Sequence, residues 1–305
     1  MPGRPKTAAW RRALDAALNG SSLDDVTKIM EDTYKTPCSR RTRWSTLRVA
    51  YERHDAANRN VAKSMRASPE DAKACRSKQR TARRNKVSHL IQFDAKALLD
   101  RSLKVLSDPA SFTAYELALV LMYVTGRRQT EITNGRSTFS STVGQGREHG
   151  VRFAGQLKQV KTTFDSAKRK SKTGKRRKTK PYDIPTLTDP SVVIAGMTAL
   201  RKKQKPDVST LSNAQVSRRY QSALSGYAKR HPPWDRVGRL HNLRGAYAAT
   251  CLRAFGFGDA PDNFAIMTML GHSDPEEVIP YSGFRPLQKR DVPDLGEWTV
   301  DRDSS

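Results

Sequence analysis

The chain has 305 residues, 36% of them hydrophobic, and carries 56 Lys and Arg against 30 Asp and Glu, a formal charge of +26. A surface this cationic repels itself until a polyanion neutralises it, so nucleic acid is the expected partner. No apolar run is long enough to span a bilayer, and the polar start Met1-Pro2-Gly3-Arg4-Pro5-Lys6 lacks the apolar core of a secretion signal. No membrane association is expected. The expected location is the cytoplasm, on the nucleoid of a bacterial, phage or plasmid system. Cys38, Cys75 and Cys251 lie far apart and form no CxxC pair, which predicts reduced thiols rather than a zinc ribbon or a disulfide framework.

Residues 6–86 read as basic helices. Ala8, Trp10, Ala13, Leu14, Ala17 and Leu18 recur at helical spacing. Ser22 followed by Asp25 predicts a capped second helix through Met30. Residues 40–84 are rich in Arg, Lys and Ala, with apolar positions at Trp44, Leu47, Val49, Tyr51 and Val61. Helices with a thin apolar stripe and a broad cationic face suit a clamp on DNA phosphates.

The chain then becomes more apolar. Residues 112–126 predict a helix buried nearly all round, with Ser111 as a candidate cap and Gly126 near its end. Val151-Arg152-Phe153-Ala154-Gly155 and Tyr182-Asp183-Ile184-Pro185 are candidate strands. Between them lies a run in which nine of the thirteen residues 168–180 are Lys or Arg, read as a mobile hairpin tip that orders on phosphate, or as an import signal. Helices are expected at about 190–203, 212–230, 243–255 and 261–270, and a short strand at Glu297-Trp298-Thr299-Val300.

Three short elements carry candidate chemistry. Thr125-Gly126-Arg127-Arg128 follows the buried helix, with Glu131 placed to orient Arg128. His241-Asn242-Leu243-Arg244 opens a helix with His241 and Arg244 at i, i+3 spacing. Leu270-Gly271-His272-Ser273-Asp274-Pro275 precedes Tyr281 by a short capped segment, with Ser273 or Asp274 as the cap. Phosphodiester cleavage by a side chain needs an in-line nucleophile, fixed donors on the non-bridging oxygens and an acid for the leaving oxygen. Arginine suits the second task because its planar fork binds two oxygens at once. A tyrosine phenol suits a reversible reaction, since the phosphotyrosine ester keeps the bond energy for resealing.

The order Thr-Gly-Arg-Arg-Gln-Thr-Glu, His-Asn-Leu-Arg-Gly, Leu-Gly-His-Ser-Asp and then Tyr resembles the tyrosine recombinase superfamily, which shares its chemistry with type IB topoisomerases. The resemblance spans roughly residues 110–285. It implies a mainly α fold with a small β-sheet, in which an α-helical DNA-binding domain precedes the catalytic domain. It also implies that Arg128 and Arg244 hold the phosphate, that His241 and His272 hydrogen-bond it or move protons, and that Tyr281 attacks. The family's general-acid lysine on a hairpin after the first arginine matches Lys158 best and Lys161 second. No cofactor and no metal are implied. The expected division is a basic clamping domain at 1–88, the catalytic domain at 89–295 and a polar tail at 296–305.

Within that superfamily, the second arginine of the Thr-Gly-Arg-Arg element is similar to telomere resolvases. So are Phe153-Ala154-Gly155-Gln156-Leu157-Lys158, Ile184-Pro185-Thr186-Leu187 and Tyr281-Ser282-Gly283-Phe284. That branch turns palindromic double-stranded DNA into covalently closed hairpin ends through a 3′-phosphotyrosine. An integrase exchanging strands between duplexes, and a DNA-binding protein without catalysis, are the alternatives. The 24 residues after Tyr281 are broken by Gly283, Pro286, Pro293 and Gly296 and offer no amphipathic helix to pass to a neighbour. A homodimer on a two-fold site is therefore expected over a helix-swapped ring.

Overall fold

The structure is a computed structural model. It describes residues 5–54, 64–88, 90–143, 147–155, 181–272, 277–288 and 292–298. The chain divides into two compact units, residues 1–85 and 86–305.

The first unit contains α1 (Pro5–Leu18), α2 (Leu23–Thr33), α3 (Pro37–His54) and most of α4 (Pro69–Ser88). Ser22 and Asp25 form the capping box at the start of α2, each side chain taking the other's backbone N–H. The apolar stripes close on one another: Ala13, Leu14 and Ala17 of α1 meet Val26 and Met30 of α2 and Trp44, Leu47 and Tyr51 of α3. Leu18, expected on that stripe, is 39% exposed, because it lies at the last turn of α1 where the chain leaves the bundle. A two-pronged ion pair from Arg40 to Asp71 joins α3 to α4. It holds the Asp71 carboxyl below the usual carboxylate range. Cys38 and Cys75, distant in sequence, interact across the same two helices, and contact with Cys75 raises the Cys38 thiol above its ordinary pKa. Arg41, Lys73, Arg76 and Lys78 stay exposed.

The second unit is built around α6 (Ala114–Thr125), whose ten residues from Glu116 to Thr125 are all buried. Around it pack α5 (Ala95–Ser107), α8 (Pro190–Lys203), α9 (Asn213–Arg230) and α10 (Asn242–Ala254). A fully buried carboxylate on α6, Glu116, is satisfied by Arg101 Nε at 2.7 Å, Trp234 Nε1 at 3.0 Å and the Tyr227 hydroxyl. One acid thus ties α5, α9 and the 3-10 turn Trp234–Val237 to the central helix. The cap of α6 is Thr113, whose hydroxyl accepts from Glu116 N, rather than the expected Ser111. Ser111 instead turns to the Asp108 carboxylate.

Two small sheets complete the unit. Strands β2 (Thr138–Ser141), β3 (Gly150–Ala154) and β4 (Tyr182–Pro185) form an antiparallel sheet in that order, with Phe139 beside Phe153 and Phe153 beside Tyr182. Strand β2 was not among the expected elements; its Thr-Phe-Ser-Ser sequence has a single apolar residue to mark an inner face. The parallel pair β1 (Ile91–Phe93) and β5 (Phe284–Pro286) joins the start of the unit to the chain just after Tyr281. Of the expected strand at 297–300, a bridge pairs Glu297 with Gly256 and Trp298 is buried against Phe255, while residues 299 and 300 lie outside the described residues. The architecture is mainly helical with a small sheet, as the sequence predicts. None of the described helices is long and apolar enough to cross a membrane.

Candidate active site

Four chain segments meet at one point, and local geometry explains why each arrives there. Helix α6 ends in Gly126 at φ +63°, the left-handed region that a Cβ penalises. A Cβ at Gly126 would also lie 2.2 Å from Tyr247 Cδ1, so glycine alone lets α10 press against this turn. Just past the turn, Arg127 and Arg128 diverge. Arg127 is 1% exposed and folds inward. Its Nε donates to Thr125 O at 3.0 Å, and its other nitrogens donate to Met269 O and the Tyr182 hydroxyl. The guanidinium also faces the Phe153 and Tyr182 rings at 5.3 Å. Burial, and then repulsion from Arg244, push its pKa down to about 9.

Arg128 heads outward with its side chain 32% exposed and caps the five-residue helix α7 (Gln129–Thr133). Glu131, fully buried, reaches back to take Arg128 N at 2.9 Å and Arg128 Nη1 at 3.1 Å. Burial alone would raise the Glu131 carboxyl. Arg127, Arg244 and Arg128 together hold it below the usual range. This acid orients Arg128 and leaves the far side of its fork to the surface.

The second arginine comes from α10. Arg244 is 2% exposed, with Nη1 donating to Gly126 O and Nη2 to Leu270 O, both at 2.5 Å. Its Nε is buried with no hydrogen-bond partner among the described residues. A buried, charged donor left unpaired is costly unless an anion arrives to take it. His241, at the start of the same helix, is exposed, and its Nε2 lies 3.2 Å from the Tyr281 hydroxyl.

The third segment follows α11 (Asp262–Leu270), which ends in a left-handed Gly271 and delivers His272. Arg244 Nη2 lies 3.2 Å from His272 Nε2, and His272 Nδ1 lies 2.7 Å from Glu277 Oε2. Burial, then Arg244, lowers the His272 pKa to about 4, so the ring is neutral near pH 7. Ser273 and Asp274 fall outside the described residues. Tyr281 closes the 3-10 turn Ile279–Tyr281, is 5% exposed, and is followed directly by the chain that pairs with β1, beginning with Ile91 N donating to Gly283 O at 2.8 Å. Its ring lies 6.0 Å from the Arg244 guanidinium carbon, 5.6 Å from His241 and 5.7 Å from His272.

The structure therefore gathers Arg128, His241, Arg244, His272 and Tyr281. Lys158, Lys161 and the 168–180 run lie outside the described residues. Two residues that the sequence did not single out join the site, Arg127 as a buried strut and Glu277 on His272. The adjacency of Arg127 to Arg128 was visible in the sequence, but nothing in the spacing tells which side chain turns inward. No group of three His, Cys, Asp or Glu among the described residues is placed to hold a metal ion.

Comparison with protein families matches residues 89–282 to the telomere resolvase ResT/TelK catalytic domain. Comparison with curated proteins finds no match. Among solved structures, a protelomerase tela covalently complexed with substrate DNA aligns at a TM-score of 0.71 and 19% identity, over 95% of this chain and 92% of that one. A point mutant of the same protelomerase complexed with DNA hairpin product aligns at 0.72 and 20%, with the same coverage of 95% and 92%. Protelomerase TelK complexed with substrate DNA aligns at 0.59 and 16%, over 93% of this chain and 59% of that one. At these identities the structural likeness speaks for the fold.

Proposed function

Because the chain belongs to the telomere resolvase family, whose catalytic domain matches residues 89–282, we propose that Tyr281 cleaves palindromic double-stranded DNA and that the ends are resealed as closed hairpins. One observation carries the assignment of residues. Arginines and histidines from three separate segments converge on a single phenol, and the buried Arg244 Nε has no hydrogen-bond partner among the described residues.

The Tyr281 oxygen attacks the scissile phosphorus, forming the P–O bond of a 3′-phosphotyrosine as the bond to the 5′ oxygen breaks. The phenol proton passes to His241 Nε2, 3.2 Å away. Charge that builds on the non-bridging oxygens meets the outward side of Arg128 and the unpartnered Nε–H of Arg244. Both cations are anchored before substrate arrives, Arg128 by Glu131 and Arg244 by two carbonyls, so little reorganisation is needed at the moment of reaction. Lys158 is our assignment for the acid that protonates the departing 5′ oxygen. In the second step the 5′ hydroxyl of the opposite strand attacks the phosphotyrosine and expels Tyr281, which regains its proton. One ester replaces another in each step, so no ATP is consumed. A palindrome presents two equivalent cuts, which fits one chain on each half of a two-fold site. The first unit's exposed Arg41, Lys73, Arg76 and Lys78 suit phosphate contacts that add affinity and salt dependence.

The test is to incubate the protein with a plasmid bearing a candidate palindrome and trap adducts by denaturation, with Tyr281→Phe as control. The expected result is a covalent protein–DNA species in the wild type only, with ends that snap back after melting. Equal adduct from Tyr281→Phe would remove Tyr281 as nucleophile. Recombinant junctions instead of snap-back ends would redirect the reading to strand exchange.

A further inference from the structure

We infer that Glu277 is a positioning residue of the phosphate site: through Nδ1 it fixes the His272 ring so that Nε2 faces Arg244 and any anion held there. The inference rests on the reading of Arg128 and Arg244 as the phosphate-holding pair.

The proton positions follow from the partners. A guanidinium has donors and no acceptor. Arg244 Nη2, 3.2 Å from His272 Nε2, must therefore donate, and Nε2 carries the lone pair. The ring proton sits on Nδ1 and is donated to Glu277 Oε2 at 2.7 Å. The His272 side chain is 6% exposed and the Glu277 side chain 34%, so the acid reaches the ring from the solvent side while the buried Arg244 faces it from within.

The groups around the ring are unequal. Arg244 on α10 and Arg128 at the start of α7 oppose a second proton on His272, and among the described residues Glu277 is the acid that favours it. The Tyr281 ring lies 5.7 Å away with its hydroxyl on His241, and Arg127 ties the end of α11 through Met269 O. In the DNA-free protein burial and the two arginines prevail. A phosphodiester between Arg128 and Arg244 brings a negative charge into that balance, which offsets the repulsion felt by the ring. His272 then takes up a proton at Nε2 and changes from accepting an Arg244 hydrogen bond to donating one to a phosphate oxygen. Glu277 stabilises the imidazolium and keeps the ring from turning. DNA engagement and protonation of His272 are thereby coupled, and Glu277 sets the pH at which the coupling operates.

The experiment measures single-turnover formation of the Tyr281–DNA adduct at saturating duplex from about pH 5 to pH 9, the range in which imidazole titrates. Wild type, Glu277→Gln and Glu277→Ala are compared, with Tyr281→Phe as baseline. Glutamine still accepts from Nδ1 but carries no charge. Its rate should therefore fall away with rising pH about one to three units earlier than wild type, the span expected for losing an adjacent opposite charge. Alanine should show the same displacement together with a lower plateau, because the ring also loses its anchor. At low pH, where His272 is protonated on DNA in every variant, duplex affinity should match wild type, because phosphate contacts elsewhere dominate it; with rising pH it should weaken earlier in both variants, as the coupling requires. A Glu277→Gln profile superimposed on wild type overturns the inference, whatever the rate of Glu277→Ala. Wild type yielding no adduct above the Tyr281→Phe baseline removes the phosphate-site reading itself, and this inference with it.

Discussion

Replacing Glu131 by Gln should destabilise the second unit more than any loss of contact area would suggest. Glu131 is fully buried and is shared by Arg127, Arg128 and Arg244. Gln preserves the shape and one carbonyl acceptor for Arg128, but removes the charge that offsets three cations. Deleting one partner of a buried ion pair typically costs about 3–5 kcal/mol, because the remaining charge stays buried and uncompensated. The retained acceptor places Glu131→Gln near the lower figure and Glu131→Ala near the upper. Urea unfolding at neutral pH reads the total, and hydrogen exchange should localise the loss to residues 126–133. The sign with pH is also fixed. The Glu131 carboxyl titrates below its unfolded value, so its stabilisation is present above the unfolded pKa of about 4.3 and is lost as pH falls through the still lower folded value. The gap between wild type and Glu131→Gln should therefore close in acid. Bound duplex should narrow it as well, since a phosphate restores an anion to the cluster. A difference within about 1 kcal/mol at neutral pH, the scale of an ordinary surface change, would refute the idea that Glu131 neutralises this cluster.

Gly126→Ala forces a Cβ into the left-handed region, costing about 1–2 kcal/mol, and against Tyr247 at 2.2 Å, adding about 1–3 kcal/mol of overpacking; an unchanged Tm would contradict both arguments. Arg128→Ala should keep duplex affinity in a filter-binding assay yet lower single-turnover cleavage by about 10²- to 10³-fold, the usual scale for removing one preorganised donor. Parallel loss of binding and cleavage would make Arg128 a docking residue.

The elements of the second unit were legible because their signals are local. Helix α8 runs Pro190–Lys203 after Asp189, and α11 stops at a glycine, both ordinary start and stop chemistry. The cap of α6 was misplaced because Ser111 and Thr113 are both competent caps, and only the geometry of the preceding turn chooses between them. Strand β2 escaped because an edge strand with one buried residue in four has no period to read. The contact between Cys38 and Cys75 depends on how α3 and α4 pack, which spacing along the chain does not encode. Glu277 was invisible for a related reason. An acid five residues beyond a histidine has no fixed relation to it unless the intervening backbone is known.

The two adjacent arginines after α6 illustrate what sequence leaves undetermined and physics decides. Arg127 and Arg128 have the same chemistry, yet one is buried and the other faces the surface. The left-handed turn at Gly126 directs successive side chains to opposite sides. Three acceptors and two aromatic faces wait on the inner side, enough to satisfy a guanidinium that has lost its water. Those acceptors belong to the end of α6, to β4 and to the end of α11. Arg127 therefore fixes the segment that leads into Arg128 relative to the segment that leads into His272. A neutral side chain of similar length would fill the space but leave Met269 O and the Tyr182 hydroxyl without their donor. Arg128, denied those partners, has Glu131 on one side and the surface on the other. The inner cation holds the frame, and the outer one is left for the phosphate.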